Sequence, residues 1–184
     1  MQRTGTKLRL LAVSVVAAVI LAACGGGSSN ESESGFGLTD WPEGGKTGAA
    51  PGDLAPNFWL EAPDGSTIEL ASFTGQPIVV NFLATWCANC MEEMDALQEV
   101  HAQGVTVIGV NLRESSDTVN KLIADSQATF PIALDRDGKV TRAYKVINLP
   151  GTVVLKPDGT VSTVIRGPIT VNSLLDAVNE ARGG

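Results

Sequence analysis

The sequence holds few of the side chains that most enzyme classes use for chemistry. Its 184 residues include three cysteines, one tyrosine and one histidine. A structural zinc site needs about four ligands, and apart from Cys87 and Cys90 the chain offers only Cys24 and His101. Positive charge is also scarce, with 13 Lys and Arg against 20 Asp and Glu. These shortages argue against a metal site and against nucleic acid as a partner, because binding to nucleic acid depends on cations.

The amino terminus lacks an apolar run long enough for an ordinary membrane-spanning helix. Its uncharged run, residues 10–23, has 14 residues, whereas a spanning helix needs roughly 20. Three basic residues precede the run, a layout typical of a bacterial secretion signal. The run ends at Leu21-Ala22-Ala23-Cys24, which resembles the lipobox of bacterial lipoproteins and implies a lipid on Cys24. Residues 1–23 are therefore predicted to be a lipoprotein signal peptide, and without them the formal charge is −10.

The rest of the chain divides into two parts by composition. Residues 24–50 are rich in Gly, Ser and Glu and poor in apolar residues. Such a segment cannot bury enough surface to offset the entropy lost on ordering, so a flexible tether is predicted. Residues 51–184 have the length of a single domain with one core, and they contain no internal repeat.

Apolar patterning predicts alternating strands and helices in that domain. Residues 78–83 and 105–110 read as buried strands, and each is followed by apolar residues at helical spacing. Ser116 is the predicted cap of the second helix. This order favours a parallel sheet with helical crossovers. Two hairpins and a closing helix complete the prediction: 58–60 with 67–70, 152–155 with 161–165 around Pro157-Asp158-Gly159, and a helix over 172–182.

Cys87 and Cys90 lie where the first of these strands passes into a helix. Unpaired N–H groups and the helix dipole at that point favour a thiolate on the first cysteine. Cys87 is therefore the predicted nucleophile, and Cys90, one turn on, is placed to resolve a mixed disulfide. A purely structural disulfide is a weaker alternative, because closing so small a loop stabilises little. Two inert buried thiols fit poorly with an exported, oxidising compartment.

At these residues the sequence strongly resembles the thioredoxin superfamily and, within it, the TlpA/ResA-like exported reductases. The resemblance covers most of residues 52–182. It implies an α/β thioredoxin-like fold: a central mixed sheet flanked by helices, with an added amino-terminal hairpin and an inserted strand-helix segment. It also implies that the catalytic group is a redox-active disulfide and that no cofactor is used. The motifs that carry it are Ala55-Pro56-Asn57-Phe58, Asn81-Phe82-Leu83-Ala84-Thr85-Trp86-Cys87, Phe130-Pro131, Leu149-Pro150 and Lys156-Pro157-Asp158-Gly159.

The resemblance implies a set of substrate-binding residues: Trp86, Leu149, Pro150 and Glu114. Pro150 matches a cis proline that faces the redox pair, and the backbone of Leu149 is then free to pair with an extended substrate. Glu114 matches an acid that the family carries in this segment. Gly151 stands where relatives usually have Thr, which predicts a groove of different shape.

Proton handling needs a group that the thioredoxin pattern does not supply here. Asn81 occupies the position of thioredoxin's buried Asp and cannot titrate. The ResA-like pattern places a Glu three residues after the second cysteine, which is Glu93 in this chain. Desolvation would raise the pKa of Glu93 towards the working pH. His101 is expected to be a helix-surface residue rather than a catalyst.

The direction of electron flow follows from the residues around the pair. Ala88 and Asn89 separate the cysteines without positive charge, and Glu92 and Glu93 follow closely. Nearby negative charge opposes the thiolate, and a less stabilised reduced form is the better reductant. The alternative is an exported oxidase that introduces disulfides. A peroxidase is disfavoured because the peroxiredoxin pattern P-x-x-x-T-x-x-C would fall on Val80 and Ala84.

Several partners are expected from the resemblance. Family members reduce disulfides in exported proteins, notably the haem-attachment cysteines of apocytochrome c, and a copper-site assembly protein is an alternative substrate. A membrane electron donor would return the enzyme to its reduced form. Lipid on Cys24 would hold the domain at the outer face of the cell membrane.

Overall fold

A computed structural model of the chain describes residues 37–183. Eight strands, five α-helices and one 3₁₀ turn lie within this range. In chain order they are β1 Gly37–Leu38, β2 Phe58–Glu61, β3 Thr67–Glu69, the 3₁₀ turn Leu70–Phe73, β4 Ile78–Leu83, α1 Ala88–Glu92, α2 Met94–Ala102, β5 Thr106–Leu112, α3 Ser116–Ser126, β6 Ile132–Asp135, α4 Lys139–Ala143, β7 Gly151–Leu155, β8 Val161–Arg166 and α5 Val171–Gly183.

The main sheet has five strands in the order β6-β5-β4-β7-β8. Strand β4 lies at its centre, and all six of its residues are buried. A strand covered on both faces can be continuously apolar, which is why Ile-Val-Val-Asn-Phe-Leu forms it. β4, β5 and β6 run parallel, whereas β7 pairs antiparallel with both β4 and β8. The predicted mixed sheet is therefore confirmed.

Alternation along β4 separates two parts of the core. Val79 and Leu83 pack with the helices α2, α3 and α5 on one face. Val80 and Phe82 pack on the other face with the β2–β3 hairpin and with Tyr144, which follows α4. Asn81 shares the odd-numbered side of β4, so its side chain points to the face that also holds the cysteines.

The predicted hairpins are present. β2 pairs antiparallel with β3, and β7 pairs antiparallel with β8. Gly159 in the second turn has φ +84°, a left-handed conformation that favours glycine. The closing helix α5 extends one residue beyond the predicted 172–182 at each end. The second buried strand is shifted, because it runs over Thr106–Leu112 rather than 105–110.

One predicted helix cap is wrong by a single residue. Ser115 caps α3, because it has extended backbone angles and its side-chain oxygen accepts the N–H of Thr118 at 3.2 Å. Ser116 is already the first helical residue. Two adjacent serines offer the same capping chemistry, so composition alone does not choose between them.

Residues 37–50, the described part of the predicted tether, contact the domain. β1 pairs with β2, and Trp41 is 8% exposed with its indole N–H donating to the carbonyl of Ala55 at 2.7 Å. A large aromatic side chain buries enough apolar surface to order a polar segment. Residues 24–36, the signal peptide and Cys24 lie outside the described residues. Within residues 37–183, no helix is both long and apolar enough to cross a membrane.

Candidate active site

The two cysteines form a disulfide at the start of α1. Cys87 is the residue before the helix, and its sulfur accepts the N–H of Cys90 at 3.2 Å. Cys87 is 8% exposed, whereas Cys90 is fully buried. Of the two cysteines, only Cys87 is therefore exposed to another protein at all. The same helical N–H that contacts Cys87 in the disulfide is placed to stabilise a thiolate there after reduction.

A helix break behind the pair positions Glu93. α1 ends at Glu92 and α2 begins at Met94, with Glu93 serving as the cap between them. The backbone carbonyl of Glu93 still accepts the N–H of Leu97 at 3.0 Å. The junction turns the Glu93 side chain into the protein, where it is only 2% exposed.

The Glu93 carboxylate is held by two neutral donors. Its Oε1 accepts the side-chain N–H of Asn81 at 2.8 Å, and its Oε2 accepts the backbone N–H of Ile169 at 3.2 Å. Burial raises the pKa of Glu93 above its ordinary value, and the two hydrogen bonds partly oppose that rise. A buried carboxyl group whose pKa is raised in this way is a candidate for proton exchange with a neighbouring thiol.

Asn81 connects Glu93 to the centre of the sheet. Its amide nitrogen donates to Glu93 and also to the hydroxyl of Thr152 at 3.0 Å. Sequence reasoning did not name Thr152 or Ile169 as neighbours of Glu93. Thr152 could have been found from the strand register, because it lies opposite Asn81 in the β4–β7 pair. Ile169 contributes only a backbone group from a loop, for which the sequence carries no signal.

The predicted proline conformation is present, since the Leu149–Pro150 peptide bond is cis. Phe82 pairs with Gly151 across β4 and β7. The chain after Phe82 and the chain before Gly151 therefore leave the sheet at the same end, which brings Pro150 to the side of the redox pair. Pro150 is buried and Leu149 is half-buried.

Two large apolar side chains near this end of the sheet are exposed. Trp86, next to Cys87, is 68% exposed, and Ile147, three residues before Pro150, is 91% exposed. Trp86 was predicted as a substrate-binding residue, whereas Ile147 was missed because the sequence does not show that it lies outside the core. Exposed apolar side chains beside a reactive sulfur are suited to contact another protein.

Gly151 leaves room for a neighbouring side chain. A Cβ at this position would lie 3.0 Å from Cγ1 of Val146. Glycine lets the loop before the proline pack against β7 at this point. A larger residue at position 151 would require Val146 to shift, and the effect on the groove stays a prediction.

Glu114 contacts the loop that carries the cysteines. Its Oε2 accepts the backbone N–H of Thr85 at 2.8 Å and the side-chain N–H of Asn111 at 2.7 Å, and its Oε1 accepts the hydroxyl of Thr85. Glu114 thus joins the segment after β5 to the segment after β4. Its role in substrate binding stays a prediction.

His101 lies near the end of α2, and its Nδ1 is 3.1 Å from the carbonyl oxygen of Val105. Its ring meets Phe130 edge to face, with the centroids 6.1 Å apart. Both contacts anchor the end of the helix. Among residues 37–183, no three or more Cys, His, Asp or Glu side chains are grouped so that they could hold a metal ion.

The sheet order, the cysteine pair at a helix start and the cis proline define a thiol-disulfide oxidoreductase of thioredoxin-like fold. Comparison with known proteins agrees with this class. Thiol-disulfide oxidoreductase ResA of Bacillus subtilis is 37% identical over 144 residues, which are 76% of this chain and 80% of the relative. The chain belongs to the AhpC/TSA family, whose sequence model matches residues 51–164, and within it to the ResA-like thiol-disulfide oxidoreductases.

Solved structures support the same fold. A putative thiol:disulfide interchange protein DsbE from Chlorobium tepidum has a TM-score of 0.67 and 27% identity, and the match covers 72% of this chain and 97% of that protein. A secreted disulfide oxidoreductase of Mycobacterium tuberculosis, described as homologous to DsbE of E. coli, has a TM-score of 0.59 and 26% identity. That match covers 67% of this chain and 93% of the other.

Proposed function

We propose that the protein reduces disulfides in exported proteins, with Cys87 attacking and Cys90 resolving. The observation that carries this proposal is the pairing of an accessible, helix-capping sulfur with a buried one, followed one turn later by the buried carboxyl group of Glu93. The redox-active disulfide itself serves as the catalytic group, and no cofactor is required.

In the proposed reaction two electrons pass from the cysteine pair to the substrate. The Cys87 thiolate attacks one sulfur of the substrate disulfide, which forms a mixed disulfide and releases one substrate thiolate. Cys90 then loses its proton, and its thiolate attacks the sulfur of Cys87. This step releases the second substrate thiolate and leaves Cys87 and Cys90 joined. Each released thiolate takes up a proton.

Glu93 is the proposed acceptor of the Cys90 proton. Glu93 is the cap that ends α1, three residues after Cys90, and its backbone is still right-handed helical, so the two residues lie about one turn apart. The pKa of Glu93 is raised by burial, which brings the group closer to the pH at which a useful acid-base catalyst works. Asn81 and the N–H of Ile169 keep the carboxyl group oriented within the site.

The direction of electron flow is proposed from the charges around the pair. Ala88 and Asn89, the residues between the cysteines, carry no positive charge. The ionised carboxylate of Glu93, at the end of α1, disfavours a thiolate on the cysteine pair, so the reduced form is less stabilised and gives up electrons more readily. The alternative is an exported oxidase, which would need a more strongly stabilised reduced form.

Apocytochrome c is the proposed substrate and a copper-site assembly protein the alternative, as the likeness to exported reductases implies. A lipid on Cys24 would anchor the protein to the outer face of the cell membrane, where a membrane protein would return electrons to it. Extracytoplasmic placement is supported by the signal-like residues 1–23 and by the relatedness to a secreted oxidoreductase. Membrane fractionation of Cys24→Ala tests the anchor, because the variant should leave the membrane fraction.

The equilibrium potential of the Cys87–Cys90 couple tests the direction. It is measured against glutathione or dithiothreitol buffers. A value well below about −200 mV supports reduction, and one near about −120 mV supports the oxidase. Cys90→Ser should trap mixed disulfides with exported partners and Cys87→Ser should not. Mass spectrometry of the trapped proteins then identifies the substrate class.

A further inference from the structure

A groove of about 330 Å³ lies beside the cis proline, between the loop before β7 and the end of β8. Its lining is mostly apolar and includes Ile147, Leu149, Val164 and Ile165. Two exposed cations, Lys145 and Arg166, also line it. The groove therefore combines apolar walls with positive charge.

The strand register places this groove next to the redox pair. Arg166 pairs with Gly151 across β8 and β7, and Gly151 pairs with Phe82 across β7 and β4. From Phe82 the chain continues directly into the loop of Cys87. A protein whose disulfide reaches Cys87 along the backbone of Leu149 would therefore lay its neighbouring residues over the groove.

The positive charge of the groove is opposite to the net charge of the molecule. The whole chain carries a formal charge of −7, yet the groove lining contains no Asp or Glu. Neither Lys145 nor Arg166 is in an ion pair found among residues 37–183. A second groove, lined by Thr85 and Met91, has the contrary character. Asp95, Asp117 and Asp125 line it together with one cation, Lys121, which pairs with Asp125.

Two features indicate that the groove is prepared for contact. Ile147 remains 91% exposed although it is a large apolar residue, and such a side chain gains most when a partner covers it. Lys145 has φ +55°, a left-handed conformation that is unusual for a residue other than glycine. Its backbone N–H donates to the carbonyl of Arg142 at 3.0 Å, which fixes the turn.

We propose that this groove selects disulfide-bearing protein segments in which an apolar side chain and a carboxylate lie close to the half-cystine. The apolar side chain would pack against Ile147, and the carboxylate would pair with Lys145 or Arg166. The inference rests on the proposed function, since it concerns the substrates that exchange with Cys87. It adds a preference for acidic substrate segments, whereas the negative net charge of the protein would favour basic ones.

The test uses three synthetic disulfide peptides of equal length, each with Leu beside the half-cystine. They differ only in two flanking residues, which are Glu, Gln or Lys. The second-order rate constant for their reduction by the reduced protein is measured by acid quench and chromatographic separation of thiol from disulfide. Work at roughly 0.1 M salt, where the Debye length is about 10 Å, screens distant charges but keeps those in the groove.

The expected order of rate constants is Glu peptide, Gln peptide, Lys peptide. The Glu peptide should react about threefold to tenfold faster than the Gln peptide, as expected for one or two partly exposed ion pairs. In Lys145→Gln/Arg166→Gln this ratio should fall to near one. In Lys145→Glu/Arg166→Glu the order should reverse, an outcome that misfolding cannot produce. The control Arg182→Gln removes one positive charge near the end of α5, away from the groove, and should keep the wild-type ratio.

Equal rates for the three peptides, or a wild-type preference for the Lys peptide, would overturn the charge selection while leaving disulfide reduction intact. Failure to reduce any of the peptides would instead count against the proposed function. Sedimentation of the wild type under the same conditions tests a second copy of the chain as the occupant. If the wild type is a dimer and Lys145→Gln/Arg166→Gln is a monomer, the groove is a self-association surface and the proposed substrate selection is wrong.

Discussion

Glu93 is a carboxyl group kept from water by a helix junction and held by two uncharged donors. Its ionised form loses hydration, and the hydrogen bonds from Asn81 and Ile169 restore only part of it. The balance raises the pKa of Glu93. The charge of Glu93 therefore changes with pH. That charge acts most strongly on the groups nearest to the carboxylate.

Glu93→Gln should leave the fold intact and change the chemistry of the pair. Without the carboxylate, the reduced variant should form its thiolate at a lower pH than the wild type, have a less negative potential and reduce substrates more slowly. Thiolate absorbance titrations and reduction rates measure this. Glu92→Gln is the matched control, because Glu92 is exposed and the charge change is the same. Overlapping titrations and equal rates for all three proteins would make Glu93 a structural carboxylate only.

Glu93 should also shape the pH dependence of stability. Its folded-state pKa lies above the ordinary 4.5, so the folded protein binds this proton more tightly than the unfolded chain does. The contribution of Glu93 is therefore complete below pH 4.5 and is lost as pH rises through the folded-state value. Relative to Glu93→Gln, the oxidised wild type should lose stability between pH 4 and pH 8. Urea unfolding at both pH values measures it, and parallel losses in the two proteins would contradict the assignment.

At the scale of elements, Glu114 joins two loops that follow neighbouring strands. Removal of its carboxylate leaves the N–H of Thr85 and the amide of Asn111 without their partner. A half-buried donor left unpaired costs about 1–3 kcal/mol. Glu114→Ala should therefore lower the free energy of unfolding by that amount, measured by urea denaturation. Glu99→Ala, at an exposed position of α2, should change it far less, and equal losses in the two variants would show that the contacts add no stability.

The contact between Gly151 and Val146 makes a second prediction at this scale. Gly151→Ala places a Cβ 3.0 Å from Cγ1 of Val146, and overpacking of this kind typically costs about 1–3 kcal/mol. Val146→Ala removes the methyl group that is in the way. The double variant should therefore be more stable than the sum of the single losses predicts, by at least about 0.5 kcal/mol. Strict additivity would mean that the loop before Pro150 adjusts freely.

How far the sequence predicts an element depends on its length and on its neighbours. β4 and the start of α1 were predictable, since six buried residues and the cysteine spacing signal them locally. β6 and α4 were not, because four and five residues are too few to show a period. α4 depends instead on buried Asp135, which accepts the N–H groups of Val140 and Thr141. The contacts of Glu93 and the exposure of Ile147 depend on packing between distant segments, which composition does not report.

For the whole molecule, residues 37–50 pack against the domain. Trp41 covers Gly159 closely enough that a Cβ there would lie 2.5 Å from the indole. Gly159 lies in the β7–β8 turn, at the opposite end of β7 from Gly151. Trp41 thus contacts the domain at the end of β7 that lies away from the redox pair.

The placement of the three tryptophans has an optical consequence. Trp86 adjoins the disulfide and is 68% exposed, whereas Trp41 is 8% exposed and packs against the far end of β7. A disulfide in contact with an excited indole quenches its fluorescence by accepting an electron. This quenching becomes weak when the two groups are not in contact. Reduction of the pair should therefore increase the emission of Trp86 and leave that of Trp41, and of Trp59 in β2, unchanged. Trp86→Phe should abolish the redox-dependent emission, and a change that persisted would locate the signal elsewhere. The intrinsic fluorescence of Trp86 then follows the redox state of the cysteine pair, and no attached dye is needed.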